Sequence, residues 1–168
     1  MIESGLQKKL KILLLGPNGQ LGKSLKNHLE AFHELECADK KKFDFLNPTN
    51  FLDILKKSKP SLVINAAAYT DVEGAESNEN LANQINSEAL KYIASACETL
   101  DLILLHFSTD YVFDGNKNTP YLEDDTPNPI STYGNSKLLG EKIISDNMKN
   151  YIIFRTSGVI SNNTNNFI

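Results

Sequence analysis

The sequence lacks the features of a membrane protein, a secreted protein or a nucleic-acid binder. Its longest apolar runs, such as Ile12–Leu15 and Leu102–Leu105, fall far short of the roughly 18 residues of a membrane-spanning helix. Residues 1–11 contain no apolar segment of a signal peptide. The 17 basic residues are outnumbered by 21 acidic ones, so the net charge of −4 provides no basic face for a phosphate backbone. We therefore expect neither a membrane nor a nucleic acid as partner.

Cysteine is scarce, and tryptophan is absent. Cys37 and Cys97 have no metal-ligand spacing and no cysteine-rich context, which argues against a metal site and a disulfide framework. We expect a reduced, cytoplasmic chain without a metal. Hydrophobic residues make up 40% and charged residues 23%, which excludes a mainly disordered chain. At roughly 150 residues per domain, the length corresponds to about one domain.

Short apolar runs alternate with stretches of helical periodicity along the chain. Strands are predicted at Lys11–Leu15, Leu35–Ala38, Phe43–Phe45, Leu62–Asn65, Leu102–Phe107 and Tyr151–Phe154. Helices are predicted at Gln20–Ala31, from Pro48 to about Lys57, at about Glu79–Thr99, and from Ser131 or Thr132 to about Asn147. The alternation predicts an α/β fold, a doubly wound parallel sheet of the Rossmann, NAD(P)-binding type. We assign residues 1–10 to an N-terminal tail and 11–168 to one Rossmann domain, with an Asn-rich end at Ser161–Ile168.

Three glycines with the spacing G-x-x-G-x-x-G follow the first predicted strand. Gly16 permits a tight turn, Gly19 permits close approach of a pyrophosphate, and Gly22 lets the next helix pack closely on the strand. The N-terminus of that helix would offer N–H groups and a positive dipole end to the phosphates. A glycine-rich turn without a ligand is the alternative interpretation. The strand before it and the helix after it are the context that favours a dinucleotide site.

The choice between NADH and NADPH is left open by the residues that follow the second strand. Asp39 lies 20 residues after Gly19, where a carboxylate can accept hydrogen bonds from the adenosine ribose hydroxyls of NAD. Lys40, Lys41 and Lys42 follow directly and offer positive charge to the 2′-phosphate of NADP. A solvated loop is the alternative interpretation of this lysine run.

Tyr133 and Lys137 are spaced i, i+4 and therefore share one face of the last predicted helix. A free tyrosine has a pKa near 10, and a nearby ammonium lowers it by stabilising the phenolate. Such a pair can protonate a carbonyl oxygen as hydride arrives at its carbon. Thr109, which follows a predicted strand, can hydrogen-bond the same oxygen. An ordinary i, i+4 surface contact is the alternative, but the glycine turn in the same chain favours catalysis.

At these residues the chain resembles the dTDP-4-dehydrorhamnose reductase family of the extended short-chain dehydrogenase/reductases. The matching segments are GPNGQLG at 16–22, DFLNP at 44–48, NAAAYTDVEGAE at 65–76, STDYVFDG at 108–115, YGNSKLLGE at 133–141 and RTS at 155–157. The resemblance implies NADPH or NADH as cofactor and a nucleotide sugar as substrate. It also implies a homodimer.

The resemblance also implies residue roles. Tyr133 would be the catalytic acid, Lys137 its partner and ribose contact, and Thr109 the hydroxyl that positions the substrate. The implied cofactor contacts are Gly16, Gly19, Gln20, Leu21, Gly22, Asp39, Asp44, Phe45, Ala67, Ala68, Tyr69, Tyr133 and Lys137. The implied substrate contacts are Thr70, Val72, Thr109 and Asp110. Asn86 matches an asparagine that the family keeps near the site, and a surface-facing helical asparagine is the alternative.

Two departures and one detail refine this expectation. Nucleotide-sugar dehydratases of the superfamily carry an Asp-Glu pair after the threonine, whereas Tyr111 follows Asp110 here, so carbonyl reduction is favoured over dehydration. Gly158 stands where the family usually has a tryptophan that packs on the sugar nucleotide. Family members continue beyond the position of Ile168 into a region that closes over the substrate. We therefore expect most of the C-terminal substrate domain to be lacking and turnover by these 168 residues alone to be weak or absent.

Two other functions are compatible with the same motifs. One is a non-catalytic, regulatory NAD(P)-binding protein similar to the beta subunit of methionine adenosyltransferase. The other is a different extended reductase or epimerase that acts on another nucleotide sugar.

Overall fold

The computed structural model describes residues 9–160 and contains one five-stranded sheet. The strands are β1 (Lys11–Leu15), β2 (Glu34–Ala38), β3 (Leu62–Asn65), β4 (Ile103–Thr109) and β5 (Tyr151–Thr156). Every neighbouring pair is parallel, and the order across the sheet is β2-β1-β3-β4-β5. The predicted doubly wound α/β fold is thereby confirmed. The predicted N-terminal tail, apart from its last two residues, and the Asn-rich end lie outside the described residues.

Six α-helices connect and cover these strands within the described residues. They are α1 (Gln20–Leu29), α2 (Phe51–Ser58), α3 (Val72–Ser77), α4 (Glu79–Asn83), α5 (Ala89–Thr99) and α6 (Thr132–Asn147). A π-helical segment, Gln84–Glu88, joins α4 to α5, so the long helix predicted at about Glu79–Thr99 contains an irregular centre. Short 3₁₀ turns at Pro48–Asn50 and Asp110–Val112 precede α2 and follow β4. None of the helices between residues 9 and 160 has the length and apolar character needed to cross a membrane.

The core lies on both faces of β1 because alternate side chains of a strand point to opposite sides. Leu13 and Leu15 join the larger cluster, with Leu55 of α2 and Leu90 of α5. Ile12 and Leu14 point the other way, into a smaller cluster toward α1. All four β1 side chains are at most 1% exposed, and burial of each stabilises the fold by about 1.5–3 kcal/mol.

The predicted strand Phe43–Phe45 is wrong. The Phe43 amide donates to the Asp39 carbonyl in a turn, and the segment pairs with no strand among the described residues. Phe43 packs instead against Phe45 and Phe51, with ring centroids 4.9 and 4.7 Å away. The apolar character of the segment thus reflects an aromatic cluster that closes the core above α2.

The direction in which strands are added to the sheet reverses between β1 and β3. The chain moves outward from β1 to β2, then crosses back to place β3 on the other side of β1. Connections at the carboxyl ends of β1 and β3 therefore diverge and leave a crevice, the usual position of a ligand in open α/β sheets. The glycine turn follows β1 at this position, and residues 66–70 follow β3.

Candidate active site

The glycine turn lies directly against the chain segment that follows β3. Gly16 has a φ of +72°, and a Cβ atom there would lie 2.8 Å from the backbone of Ala67. A Cβ on Gly22 would lie 2.0 Å from the carbonyl oxygen of Gly16. These contacts bring the start of α1 onto the turn, as predicted. Gly19 caps α1 without a side-chain hydrogen bond, and the start of the helix at Gln20 and Leu21 lines the crevice.

Gly19 differs from its two neighbouring glycines. A Cβ placed on it would meet nothing closer than the Gly16 carbonyl oxygen at 3.7 Å, and its φ is −71°. The protein itself therefore does not require glycine here. Space is left open at this point of the crevice, which is what close approach of a phosphate group requires.

Two neighbouring cavities occupy the crevice, and both are lined by Gly16, Gly19, Ala67 and Ala68. The first, of about 270 Å³, extends over β2 and contains Asp39, Asp44 and Phe45 among its lining residues. The second, of about 760 Å³, extends over β4 and α6. Its lining includes the remaining predicted site residues Gln20, Leu21, Thr70, Val72, Thr109, Asp110, Tyr133 and Lys137.

Two residues predicted to contact the cofactor do not line either cavity. Gly22 lies behind the turn, where it serves helix packing. Tyr69 uses its backbone N–H and carbonyl to bind the Asn86 side chain. Both residues therefore support the segments that form the crevice and do not line it themselves. Conversely, Ser108 and Thr156 line the second cavity without having been predicted to do so.

The three lysines that follow β2 have different surroundings. Lys42 forms an ion pair with Glu36, whose carboxylate also accepts a hydrogen bond from Ser58. Asp39 accepts the Lys41 and Lys42 amides at 3.1 and 3.2 Å, which shapes the turn. Lys40 is the lysine of the run that lines the first cavity.

Tyr133 is placed at the crevice by the way α6 begins. The Ser131 side chain caps the helix by accepting the Gly134 amide at 3.1 Å. A Cβ on Gly134 would lie 2.2 Å from the Tyr111 carbonyl oxygen, so glycine lets the helix approach the segment after β4. The Tyr133 ring then packs edge-on against Tyr111, with ring centroids 5.6 Å apart. Thr109, at the end of β4, lines the same cavity.

The pKa of Tyr133 is raised, not lowered, in this structure. Burial is the main cause, and a hydrogen bond with the Thr109 side chain acts in the opposite direction. Lys137 is not among the groups that shift the pKa of Tyr133, and its Nζ atom donates to the Phe107 carbonyl oxygen at 2.7 Å. Burial also lowers the pKa of Lys137 to about 8, while the charge of Glu141 raises it. The phenol is therefore a proton donor at neutral pH in this state.

Asn86 is buried and is not the surface asparagine that was the alternative expectation. It lies in the π-helical segment at 2% exposure. Its Oδ1 atom accepts the Tyr69 amide at 2.8 Å, and its Nδ2 atom donates to the Tyr69 carbonyl and to the Ser136 hydroxyl. Asn86 thus connects the segment after β3 to the helix that carries Tyr133.

Replacing Asn86 by alanine should lower the free energy of unfolding by about 2–4 kcal/mol, because three hydrogen-bonding groups lose their partner. Urea unfolding monitored by circular dichroism measures this. Asn135→Ala is the matched control, since Asn135 is exposed and makes one hydrogen bond to a backbone carbonyl. Equal losses in the two variants would contradict the connecting role of Asn86.

His106 was not singled out from the sequence. It lies on β4 at 1% exposure, between Asn65 of β3 and Lys137 of α6. Its Nδ1 atom is 3.1 Å from Asn65 Nδ2, and its Nε2 atom is 3.4 Å from Lys137 Nζ. Burial, with a contribution from the Lys137 charge, holds the pKa of His106 well below its ordinary value. A histidine near the end of a buried strand, in the same chain as a predicted catalytic lysine, is the signal that could have drawn attention to it.

Folding stability should therefore fall as the pH drops from 6.5 to about 5. The unfolded chain binds a proton at position 106 below pH 6.5, the folded chain does not, and stability decreases toward acid with a slope of up to about 1.4 kcal/mol per pH unit. Carboxylates with lowered pKa values, such as Glu36 and Asp114, add to the pH dependence of stability only below about pH 4.5. Urea unfolding at several pH values tests this. His106→Gln should lose the slope, and an unchanged slope would contradict the prediction.

Comparison with known proteins places this geometry in a family. The chain matches the RmlD substrate binding domain over residues 10–168. The dTDP-4-dehydrorhamnose reductase of Shigella flexneri is 40% identical over 162 residues, which cover 94% of this chain and 54% of that protein. The protein of the same name from Burkholderia thailandensis is 38% identical over 159 residues, which cover 95% of this chain and 53% of that protein.

A solved structure gives the same result. The dTDP-4-dehydrorhamnose reductase of Bacillus anthracis, crystallised in complex with NADP, superposes with a TM-score of 0.91 at 35% identity. The match covers 95% of this chain and 57% of that one, and the chain spans about half the length of the curated relatives it matches. The resemblance seen in the sequence motifs is confirmed: the chain belongs to the RmlD substrate binding domain family, together with these dTDP-4-dehydrorhamnose reductases.

Proposed function

We propose that the chain provides the cofactor-binding and catalytic part of an NADPH-dependent reductase of dTDP-4-dehydrorhamnose. The observation that carries this proposal is the continuous crevice at the β1/β3 reversal. It leads from Asp39 past the open position at Gly19 to Tyr133 and Thr109. A dinucleotide is the kind of ligand that needs a nucleoside pocket, a phosphate-binding turn and a catalytic pocket in this order.

The first cavity fits the adenosine end of the cofactor. Asp39 and Lys40 line it beside Asp44 and Phe45. Because Lys42 is paired with Glu36, Lys40 is the cation of the run left at the cavity for a 2′-phosphate. NADP in the Bacillus anthracis relative supports the same choice, so we propose NADPH over NADH.

The second cavity supplies the chemistry of carbonyl reduction. When bound there, NADPH supplies a hydride to the carbonyl carbon of the substrate. Tyr133 protonates the carbonyl oxygen, and its raised pKa keeps the phenol protonated until that step. The Thr109 hydroxyl orients the same oxygen, and Lys137 contacts the ribose and stabilises the phenolate that forms.

The nucleotide sugar is proposed to contact Thr70, Val72 and Asp110 on the outer side of the second cavity. Tyr111 follows Asp110, so the carboxylic acid that dehydratases place there is missing and reduction is the favoured reaction. Gly158 lines the same cavity with open space around it, where an aromatic side chain would otherwise contribute packing area.

Isothermal titration calorimetry with NADPH and, separately, with NADH tests the cofactor assignment. Addition of dTDP-4-dehydrorhamnose to the chain with bound NADPH then tests the reaction, with oxidation of NADPH as the signal. We expect tighter binding of NADPH than of NADH. Lack of binding by both dinucleotides would contradict the whole proposal. Binding without any oxidation, even in a single-turnover measurement that detects the weak turnover expected of these 168 residues, would support a non-catalytic dinucleotide-binding protein instead.

Two further proposals concern location and assembly. The described cysteines, Cys37 and Cys97, are free thiols, which is consistent with the reducing cytoplasm. A homodimer remains the prediction from the family resemblance, and analytical ultracentrifugation tests it.

A further inference from the structure

His106 is a buried titratable group to which the reaction described above assigns no role. Asn65, His106 and Lys137 are each 1% exposed and form a row beneath the second cavity. The row crosses three elements, from β3 through β4 to α6. Only Lys137, at its end, also lines the cavity. Any preference of the row for one protonation state therefore acts on Lys137.

The orientation of the Asn65 amide is determined by the chain segment after β3. Asn65 Oδ1 accepts the Ala67 amide at 3.0 Å, so Nδ2 is the atom that faces His106. An amide nitrogen only donates hydrogen bonds. His106 Nδ1 must then accept, and a neutral imidazole that accepts at Nδ1 carries its hydrogen on Nε2.

This tautomer determines what Lys137 encounters. The His106 Nε2–H group faces Lys137 Nζ at 3.4 Å. An ammonium has only hydrogen-bond donors and cannot accept this N–H, whereas a neutral amine has a lone pair that can. The other contact of Lys137, to the Phe107 carbonyl, is compatible with both forms because both can donate. The row is consequently fully hydrogen-bonded only when Lys137 is a neutral amine.

We propose that Asn65 and His106 are positioning residues that favour the neutral amine of Lys137 and thereby lower the affinity of this side chain for a proton. The inference rests on the proposed reductase function.

The surrounding charges act on the same equilibrium from several elements. The titratable and charged groups in question are His106 of β4, Tyr133 and Glu141 of α6, Asp110 after β4 and Arg155 of β5. Glu141 favours the ammonium, but its carboxylate also binds the Arg155 guanidinium at 2.7 Å. Asp110 acts on Tyr133. The lowered pKa of Lys137, caused mainly by burial, is consistent with the preference for the amine.

Nitrogen NMR of the cofactor-free chain, labelled with ¹⁵N-histidine, measures the tautomer directly. The chain has three histidines, so the signals of His106 can be assigned with His106→Gln. We expect the neutral Nε2–H tautomer from pH 6 to 9. An Nδ1–H tautomer or an imidazolium in this range would overturn the proposal. Because the tautomer is measured on the unsubstituted chain, this result does not depend on the folding of any variant.

Asn65→Asp tests the coupling to Lys137. A carboxylate only accepts, so His106 should move its hydrogen to Nδ1 and present Nε2 as an acceptor to the ammonium. The titration midpoint of Lys137, followed by ¹³C NMR of its Cε atom, should rise by at least about one pH unit, a tenfold change in proton affinity. Asn135→Asp adds the same charge at an exposed position of α6 and should leave the tautomer unchanged and the midpoint nearly so. Equal shifts in the two variants would overturn the coupling.

These measurements separate the inference from the proposed function because they need no cofactor and no turnover. Failure to bind NADPH contradicts the reductase assignment and leaves the tautomer result standing. The expected tautomer without any shift of the Lys137 midpoint in Asn65→Asp would show that the row is only structural.

Discussion

Replacement of Tyr133 by phenylalanine is expected to lower the rate of carbonyl reduction about 100- to 10,000-fold while the affinity for NADPH stays nearly unchanged. In the proposed reaction the hydroxyl protonates the substrate oxygen, and its removal would leave the oxyanion without a proton donor. The aromatic ring remains, so its edge-on packing against Tyr111 is kept. The fold should therefore be unaffected.

Single-turnover oxidation of bound NADPH after addition of dTDP-4-dehydrorhamnose measures this effect. Tyr92→Phe is the matched control, since Tyr92 lies exposed on α5 and should react like the wild type. A Tyr133→Phe variant that oxidises NADPH at the wild-type rate would exclude Tyr133 as the acid. Loss of NADPH binding in the same variant would mean that the hydroxyl serves the cofactor and not the substrate.

Alanine at Gly19 and alanine at Gly22 should have opposite consequences. At Gly22 the added Cβ would overlap the Gly16 carbonyl oxygen at 2.0 Å, and backbone atoms cannot move aside as a flexible side chain does. We expect a loss of about 3 kcal/mol or more in the free energy of unfolding. At Gly19 the nearest atom is 3.7 Å away, so we expect a loss of about 1 kcal/mol or less, from poorer capping of α1.

For NADPH binding, in contrast to stability, the Gly19→Ala substitution should have the direct effect on the cofactor site. The Gly19→Ala variant is expected to fold, but it places a methyl group where we propose that the pyrophosphate approaches the N-terminus of α1. Loss of one charged hydrogen bond, about 1.5–3 kcal/mol, weakens binding about 10- to 100-fold. Urea unfolding and calorimetric titration of the two variants give the two quantities. A Gly19→Ala variant that binds NADPH as the wild type does would remove the glycine turn from the cofactor site.

Local signals in the sequence were sufficient for the five observed strands and for the glycine turn. The runs at Lys11–Leu15 and Leu62–Asn65 become strands with the same bounds because parallel strands are buried on both faces and read as continuous apolar segments. The same signal was misleading at Phe43–Phe45. There, apolar residues pack in an aromatic cluster without sheet pairing, and a short apolar run does not distinguish these two cases.

The motifs and their order along the chain were thus sufficient to predict the fold class, the family and most of the crevice lining. Each motif is a local pattern of residues close together in the sequence, so it can be recognised without the structure. The buried partners were decided by the tertiary structure alone. Asn86 meets Tyr69 and Ser136, and Lys137 turns toward His106 and the Phe107 carbonyl, through contacts between residues 17 to 50 positions apart. Such contacts set the direction of the pKa shifts, because burial and hydrogen-bond geometry arise only when distant strands and helices pack together.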